Sequence, residues 1–137
     1  MPHFHIDYSG NLEDWVDMDG LCECVRATAA AIDTFPVAGI RVRATRVDHY
    51  SIADGNPAHG FVDISIRLRA GRPEDVKQDA TQRIFEAVRA YLEPALSKHS
   101  IALSVEMRDI DPDLSPKTGT IREHLGRDQL AATQQET

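Results

Sequence analysis

The groups best placed to do chemistry stand at the start of the chain. Met1 is followed by Pro2, a residue small enough for removal of the initiator methionine to be expected. Once Met1 leaves, Pro2 carries a free secondary amine, which no other residue type offers at a protein N-terminus. Such an amine can take a proton and return it. Two arginines stand at comparable points further on: Arg41 follows Gly39-Ile40, and Arg72 follows Ala70-Gly71. An amine flanked by guanidinium groups in a partly apolar pocket loses basicity through desolvation and like charge. That brings it into the range of a general base near neutral pH. The guanidinium groups would meanwhile grip carboxylates and stabilise an enolate as charge develops. Each residue also has a plainer reading. A single arginine is usually a solvated surface charge, and a proline here can simply open an edge strand, where its missing N–H costs nothing.

Other candidate sets are weaker. His3 and His5 share one strand face, but no third ligand stands at a metal-binding spacing and there is no H-E-x-x-H pattern; no metal site is expected. Cys22 and Cys24 lie near a helix start, where a thiol pKa falls, yet no Cys-His signature accompanies them and packing is the expected role. Asp109 and Asp111 sit beside Pro112, where turn residues are expected anyway. Without a P-loop or a G-x-G-x-x-G, no nucleotide cofactor is indicated.

Periodicity supplies the elements that must position Pro2 and the arginines. Phe4, Ile6 and Tyr8 alternate with His3, His5 and Asp7, which predicts a strand from the chain start. Residues 11–20 read as a loop. Leu21, Val25, Thr28, Ala29 and Ile32 predict a helix over 20–34, capped by Asp19 and stopped by Pro36. A strand follows over 40–50, with Ile40, Val42 and Ala44 on one face and Arg41 and Arg43 on the other; its alternation falters at Arg46-Val47, which suggests a bulge. Asp54-Gly55-Asn56-Pro57 is a turn. The second half repeats the order: a strand over 61–69, a helix over 73–97 opened by Pro73, and a strand over 101–107. After Asp109 the pattern weakens. Residues 111–120 read as loop, 121–130 as a short helix or a segment docking on a neighbouring subunit, and 131–137 as a frayed tail.

The order is β-α-β twice, over about residues 1–53 and 58–109. The fold class is α+β: a four-stranded mixed sheet with two helices on one face. In that layout Pro2 and Arg41 open parallel neighbouring strands at one end of the sheet. Arg72 reaches the same end if the two units run antiparallel. The second sheet face is left bare and mixed in character, which suggests a symmetric oligomer that covers it.

Composition sets the outer bounds. The 137 residues suit one domain, and 42% hydrophobic with 27% charged residues suit a folded one. A net charge of −7 makes nucleic acid a poor partner. No apolar run reaches the length of a membrane span, and no signal peptide is visible, so the cytoplasm is the expected compartment.

Several stretches together resemble a known family: Met1-Pro2-His3-Phe4, Phe35-Pro36-x-Ala38-Gly39-Ile40-Arg41-x-Arg43, Ala53-Asp54-Gly55, Ala70-Gly71-Arg72 and Ala102-Leu103-Ser104-x-Glu106. They are similar to the 5-carboxymethyl-2-hydroxymuconate delta-isomerases of the tautomerase superfamily. The resemblance implies a tautomerase-like domain over 1–126, a homotrimer, and an isomerase that needs no cofactor. It implies that Pro2 is the proton shuttle and that Arg41 and Arg72 bind the carboxylates of a small polycarboxylate substrate from homoprotocatechuate breakdown. Arg43 also fits the motif, without a defined role. Residues 127–137 have no counterpart and stand as a C-terminal tail. Two other readings stay open: a trimeric small-anion or partner-binding module of the same fold, and a tautomerase acting on another enol acid.

Overall fold

In the computed structural model, residues 1–126 are described. Four strands, β1 (His3–Ser9), β2 (Arg41–Val47), β3 (His59–Arg69) and β4 (Ser100–Ile110), form one sheet in the order β2-β1-β3-β4. β1 runs parallel to β2 and antiparallel to β3, and β3 runs parallel to β4. Two helices, α1 (Met18–Ala30) and α2 (Glu74–Leu96), supply the crossovers. The two β-α-β units are therefore antiparallel to one another. β1 is an interior strand, not the edge strand that the plainer reading of Pro2 supposes.

The alternation of each strand decides which face is covered. Phe4, Ile6, Val62, Ile64, Ile66 and Leu68 are fully buried beneath the helices. The helices meet them with Leu21, Val25 and Ala29 of α1 and with Ala80, Ile84, Val88 and Leu92 of α2, spaced three and four residues apart. The opposite face carries His3, His5, Asp7, Asp63, Ser65 and Arg67, none of them buried. It is laced by short polar contacts such as Ser104 Oγ to Asp63 at 2.6 Å and His5 Nε2 to Thr45 Oγ1 at 2.9 Å.

Several boundaries differ from the sequence expectation. α1 begins two residues early, with Asp17 rather than Asp19 at its N-cap, and ends at Ala30. Its last turns tighten: Ala31 N–H donates to Thr28 O at 3.2 Å and Ile32 N–H to Ala29 O at 3.0 Å. The tightening turns Ile32 and Phe35 into the core, where Phe35 packs edge-on against Phe4 with ring centroids 5.1 Å apart. The stretch expected as loop holds a 3-10 turn, Gly10–Asp14, around a fully buried Leu12. Polar neighbours masked it in the sequence. They are themselves engaged: Asn11 Nδ2 donates to His59 O at 2.9 Å, and Ser9 Oγ accepts from Phe61 N–H at 2.9 Å.

No bulge forms at Arg46-Val47. The β1–β2 register runs unbroken to Ser9 opposite Val47. Arg46 sits on the helix-side face of an edge strand, so its guanidinium passes the core, lies against Gly10 and pairs with Glu13 at 2.8 Å and Asp48 at 2.7 Å. β2 then ends at Val47 rather than near residue 50. β3 starts two residues earlier than expected, and β4 runs from Ser100 to Ile110, longer than the 101–107 expected. The two pair along their whole length, from His59 opposite Ser100 to Arg69 opposite Ile110. Pro73 is the N-cap of α2 rather than its first residue. Of residues 121–130, the described part holds a 3-10 turn, Ile121–His124; the rest, and the tail expected over 131–137, lie outside the described residues.

Ile64 sits at the centre of β3 with no exposed surface. Ile64→Ala should cost about 2–5 kcal/mol, the range for a large side chain deleted from a packed core. Urea denaturation checks it, and a loss under about 1 kcal/mol would contradict the packing described.

Candidate active site

The sheet order brings the start of β1 between the start of β2 and the end of β3. His3 stands opposite Arg41 on one side and opposite Arg67 on the other. Pro2, one residue earlier, is buried. Its carbonyl accepts a hydrogen bond from Arg41 N–H at 3.2 Å, which ties the chain start to β2. Gly39 allows this approach: a Cβ there would lie 2.9 Å from Pro2 Cδ and 3.0 Å from Met1 Cα. Arg41 Nη1 donates to the Gly39 carbonyl at 3.2 Å and to Met1 Sδ at 2.7 Å. The Met1 thioether thus occupies the position beside Arg41 that an anion would take.

Met1 borders two cavities at this end of the sheet. The smaller, about 260 Å³, is walled by His3, Arg67 and Arg69 from the sheet and by Ser115, Pro116 and Lys117 from the segment after β4. The larger, about 410 Å³, is walled by Gly39, Arg41, Arg69, Lys117 and Arg122, with Glu123 at its border. Met1, Arg69 and Lys117 belong to both. Removing Met1 would take away one of the three residues that the two spaces share.

The electrostatics of this end set it apart. Elsewhere most basic side chains are matched with acids: Arg26 with Glu23, Arg46 with Glu13, Lys77 with Asp109, Arg83 with Asp79, Arg89 with Glu86, while Arg108 donates to Ser65 Oγ instead. Arg41, Arg43, Arg67, Arg69, Arg72 and Lys117 have no carboxylate partner among the described residues, in a chain whose acids outnumber its bases by 22 to 15. His3 registers the resulting field. Burial, then the charges of Arg67, Arg41, Arg43 and the N-terminus, hold its pKa below the usual histidine value. Arg43 Nη1 lies 3.4 Å from His3 Nδ1. A guanidinium can only donate, so that nitrogen faces it as an acceptor.

The expected residues divide. Pro2 and Arg41 meet through the Arg41 N–H to Pro2 carbonyl bond; Arg41 lines the larger cavity, while Pro2 lies buried behind Met1 and lines neither. Arg72 reaches the same end of the sheet but lines neither cavity; its Nη1 donates to the Arg69 carbonyl at 3.2 Å, bracing the turn in which Gly71 takes φ 121°. Arg43 lies exposed on the bare sheet face. Sequence reasoning did not single out Arg69 and Lys117. Arg69 could have been found as the residue two beyond Arg67 on the same strand face. Lys117 lies in aperiodic chain and left no such signal. The alternative sets disperse: Asp109 is held by Lys77 at 3.2 Å and Asp111 accepts from Asp113 N–H at 2.9 Å, so they form no dyad. Cys22 is half-buried, and burial pushes its thiol pKa up, the wrong direction for a nucleophile.

A mixed sheet of two antiparallel β-α-β units, with Pro2 buried just before its interior first strand, defines a tautomerase-type fold. The sequence profile of 5-carboxymethyl-2-hydroxymuconate isomerase matches residues 2–125, and the chain belongs to that family. It is 33% identical over 121 residues to an Escherichia coli 5-carboxymethyl-2-hydroxymuconate Delta-isomerase, covering 88% of this chain and 96% of that protein. A crystal structure of a 5-carboxymethyl-2-hydroxymuconate delta-isomerase superposes with a TM-score of 0.84 at 31% identity, over 90% of this chain and 92% of the other. At 16% identity a fused 4-OT symmetric trimer shares the fold, with a TM-score of 0.65 over 85% of this chain and 92% of that one.

Gly39→Ala should push Pro2 off its position, because the atoms in the way are a proline ring and backbone. Amide exchange at Arg41, now protected by the Pro2 carbonyl, should quicken at least tenfold while the core stays protected. Unchanged protection would show that Gly39 does not set the approach.

Proposed function

We propose that this chain is a cofactor-free isomerase that converts 5-carboxymethyl-2-hydroxymuconate into its 2-oxo isomer, with the Pro2 amine as proton shuttle. The observation that supports it most is the placement of Pro2, buried beside Arg41 and directly behind Met1, which lines two cavities whose walls include Arg67, Arg69 and Lys117. Removal of Met1 creates the amine and opens the space that the methionine side chain fills. Apolar surroundings and the neighbouring guanidinium groups disfavour the protonated amine, so it is free to act as base. It takes the proton of the 2-hydroxyl group. The enol C–O bond becomes a carbonyl, the electron pair moves along the conjugated chain, and the same amine returns the proton to carbon. Atoms and electrons balance within the substrate, so the step calls for no redox group.

Arg41 holds a carboxylate beside the reacting centre and offsets charge that builds on the enolate. Arg72 and Arg43 belong to the anion-binding set by their place at the same end of the sheet. Neither lines a cavity within one chain: Arg72 holds the Arg69 carbonyl, and Arg43 lies beside His3. The bare mixed face and the exposed Leu114 (81%) and Ile121 (46%) support a homotrimer, and the fused 4-OT protein of the same fold is itself a symmetric trimer. No described helix is long and apolar enough to cross a membrane. Free Cys22 and Cys24 agree with a reducing compartment, so we place the reaction in the cytoplasm.

Pro2→Ala, or a preparation in which Met1 is retained, should lose nearly all ketonisation of 5-carboxymethyl-2-hydroxymuconate while circular dichroism stays unchanged. Arg41→Ala should lower kcat/KM by about 1.5–3 kcal/mol of transition-state binding, the scale of a charge-assisted hydrogen bond. Full activity with Met1 in place, established by intact mass, would remove Pro2 from the mechanism. Sedimentation equilibrium should return three times the 15.2 kDa chain mass; a monomer at micromolar concentration would refute the assembly.

A further inference from the structure

The two cavities beside Pro2 present their cations in an order. Arg41 stands in the larger cavity, next to Gly39 and Pro2. Arg67 and His3 stand in the smaller one. Arg69 and Lys117 wall both, at the point where the spaces adjoin. Loss of Met1, which lines both cavities, leaves Arg41 on one side, Arg67 and His3 on the other, and Arg69 and Lys117 common to both, with Glu123 the one carboxylate among the lining residues. A substrate with a single carboxylate can satisfy only one of these positions. One with several carboxylates along a short carbon skeleton can satisfy all of them.

Lys117 is placed there by the chain that follows β4. Ile110 closes the sheet by accepting from Ala70 N–H at 3.0 Å. Asp111 then caps a 3-10 turn, Pro112–Leu114, with its side chain accepting from Asp113 N–H at 2.9 Å. Pro112 and Pro116 limit the backbone on either side, and the segment comes back over the end of β3. Arg69 comes from the last position of β3, paired with Ile110, and the Arg72 guanidinium holds its carbonyl. Neither Lys117 nor Arg69 has a carboxylate partner among the described residues, although Asp109, Asp111 and Asp113 lie close in sequence. Asp109 is turned to Lys77 and Asp111 to the turn backbone, which leaves the two cations available to an anion from outside.

We infer that Lys117 and Arg69 form the carboxylate subsite that makes this site selective for substrates with several carboxylates over monocarboxylic enols. Pro2 and Arg41 carry the chemistry at one end, and the Lys117–Arg69 pair fixes how the remainder of the skeleton lies. This assignment rests on the isomerase reading for its substrate. The binding it asserts does not require turnover.

The test therefore has two arms, both on Met1-free protein verified by intact mass. In the first, calorimetric titration compares propane-1,2,3-tricarboxylate with butyrate. The unmodified protein should bind the triacid at least tenfold tighter. Lys117→Met and Arg69→Met should each weaken triacid binding at least fivefold and leave butyrate within twofold, while Lys117→Arg restores most of the preference. Equal losses for both ligands, no change in either variant, or no triacid binding by the unmodified protein would each overturn the subsite. In the second arm, turnover of 5-carboxymethyl-2-hydroxymuconate is compared with that of a monocarboxylic enol, phenylenolpyruvate. The variants should raise KM for the former at least fivefold with kcat within threefold, and leave the latter unmoved. A protein that passes the first arm but turns over neither enol keeps the subsite and loses the isomerase reading. One that turns over the first enol with unchanged KM in both variants keeps that reading and loses the subsite.

Discussion

The first residues of the chain form an interior strand, and the site depends on that constraint. A terminus ordinarily frays, because few contacts hold it. Here β1 lies between β2 and β3, so both of its edges are hydrogen-bonded along their length. Phe4 and Ile6 add fully buried side chains beneath the helices. Displacing the terminus would break two ladders and open the core. The Arg41 N–H to Pro2 carbonyl bond extends the pairing with β2 to the last residue before the strand.

The same topology gathers positive charge. Parallel pairing of β1 with β2 sets Arg41 and Arg43 beside His3 and His5, and antiparallel pairing with β3 sets Arg67 and Arg69 on the other side. Like charges at this spacing repel, and they add to burial, the larger cause, in holding the His3 pKa below the usual histidine value. The arrangement raises the energy of the unliganded site. An anion placed there gains the attraction that the chain's own acids, paired elsewhere, do not provide. A site loaded in this way can be selective for anions within a protein of net charge −7.

Met1 illustrates how a covalent event and a spatial one coincide. Its backbone amide masks the proline nitrogen, and its side chain lies against Arg41 and between two cavities. Cleaving one peptide bond would create the base and clear the space in which it acts. Gly39 serves the same end from the other side, since any side chain there would meet Pro2 or Met1.

Much of this was legible in the residues. Alternation identified all four strands and the covered face, because a half-buried strand must place apolar groups at every second position. Spacings of three and four identified both helices. The β-α-β order, whose two strands pair parallel, then put Pro2 and Arg41 at one end of the sheet. Local pattern could not see the sheet order, which made β1 interior rather than an edge, because strand neighbours are chosen by packing between distant segments. It missed Leu12, whose burial depends on Gly60 and Asn11 meeting across the sheet rather than on any local period. It read a bulge at Arg46, where an edge position let a long guanidinium escape the core to Glu13. The sequence by itself determined the elements, the amine and the arginine motifs, since these follow from residue type and local spacing. Only the tertiary structure decided that Arg69 and Lys117 wall both cavities beside Met1 while Arg72 turns to a backbone carbonyl. Which cations face a cavity depends on how the chain after β4 returns across the end of β3, and no local pattern encodes that path.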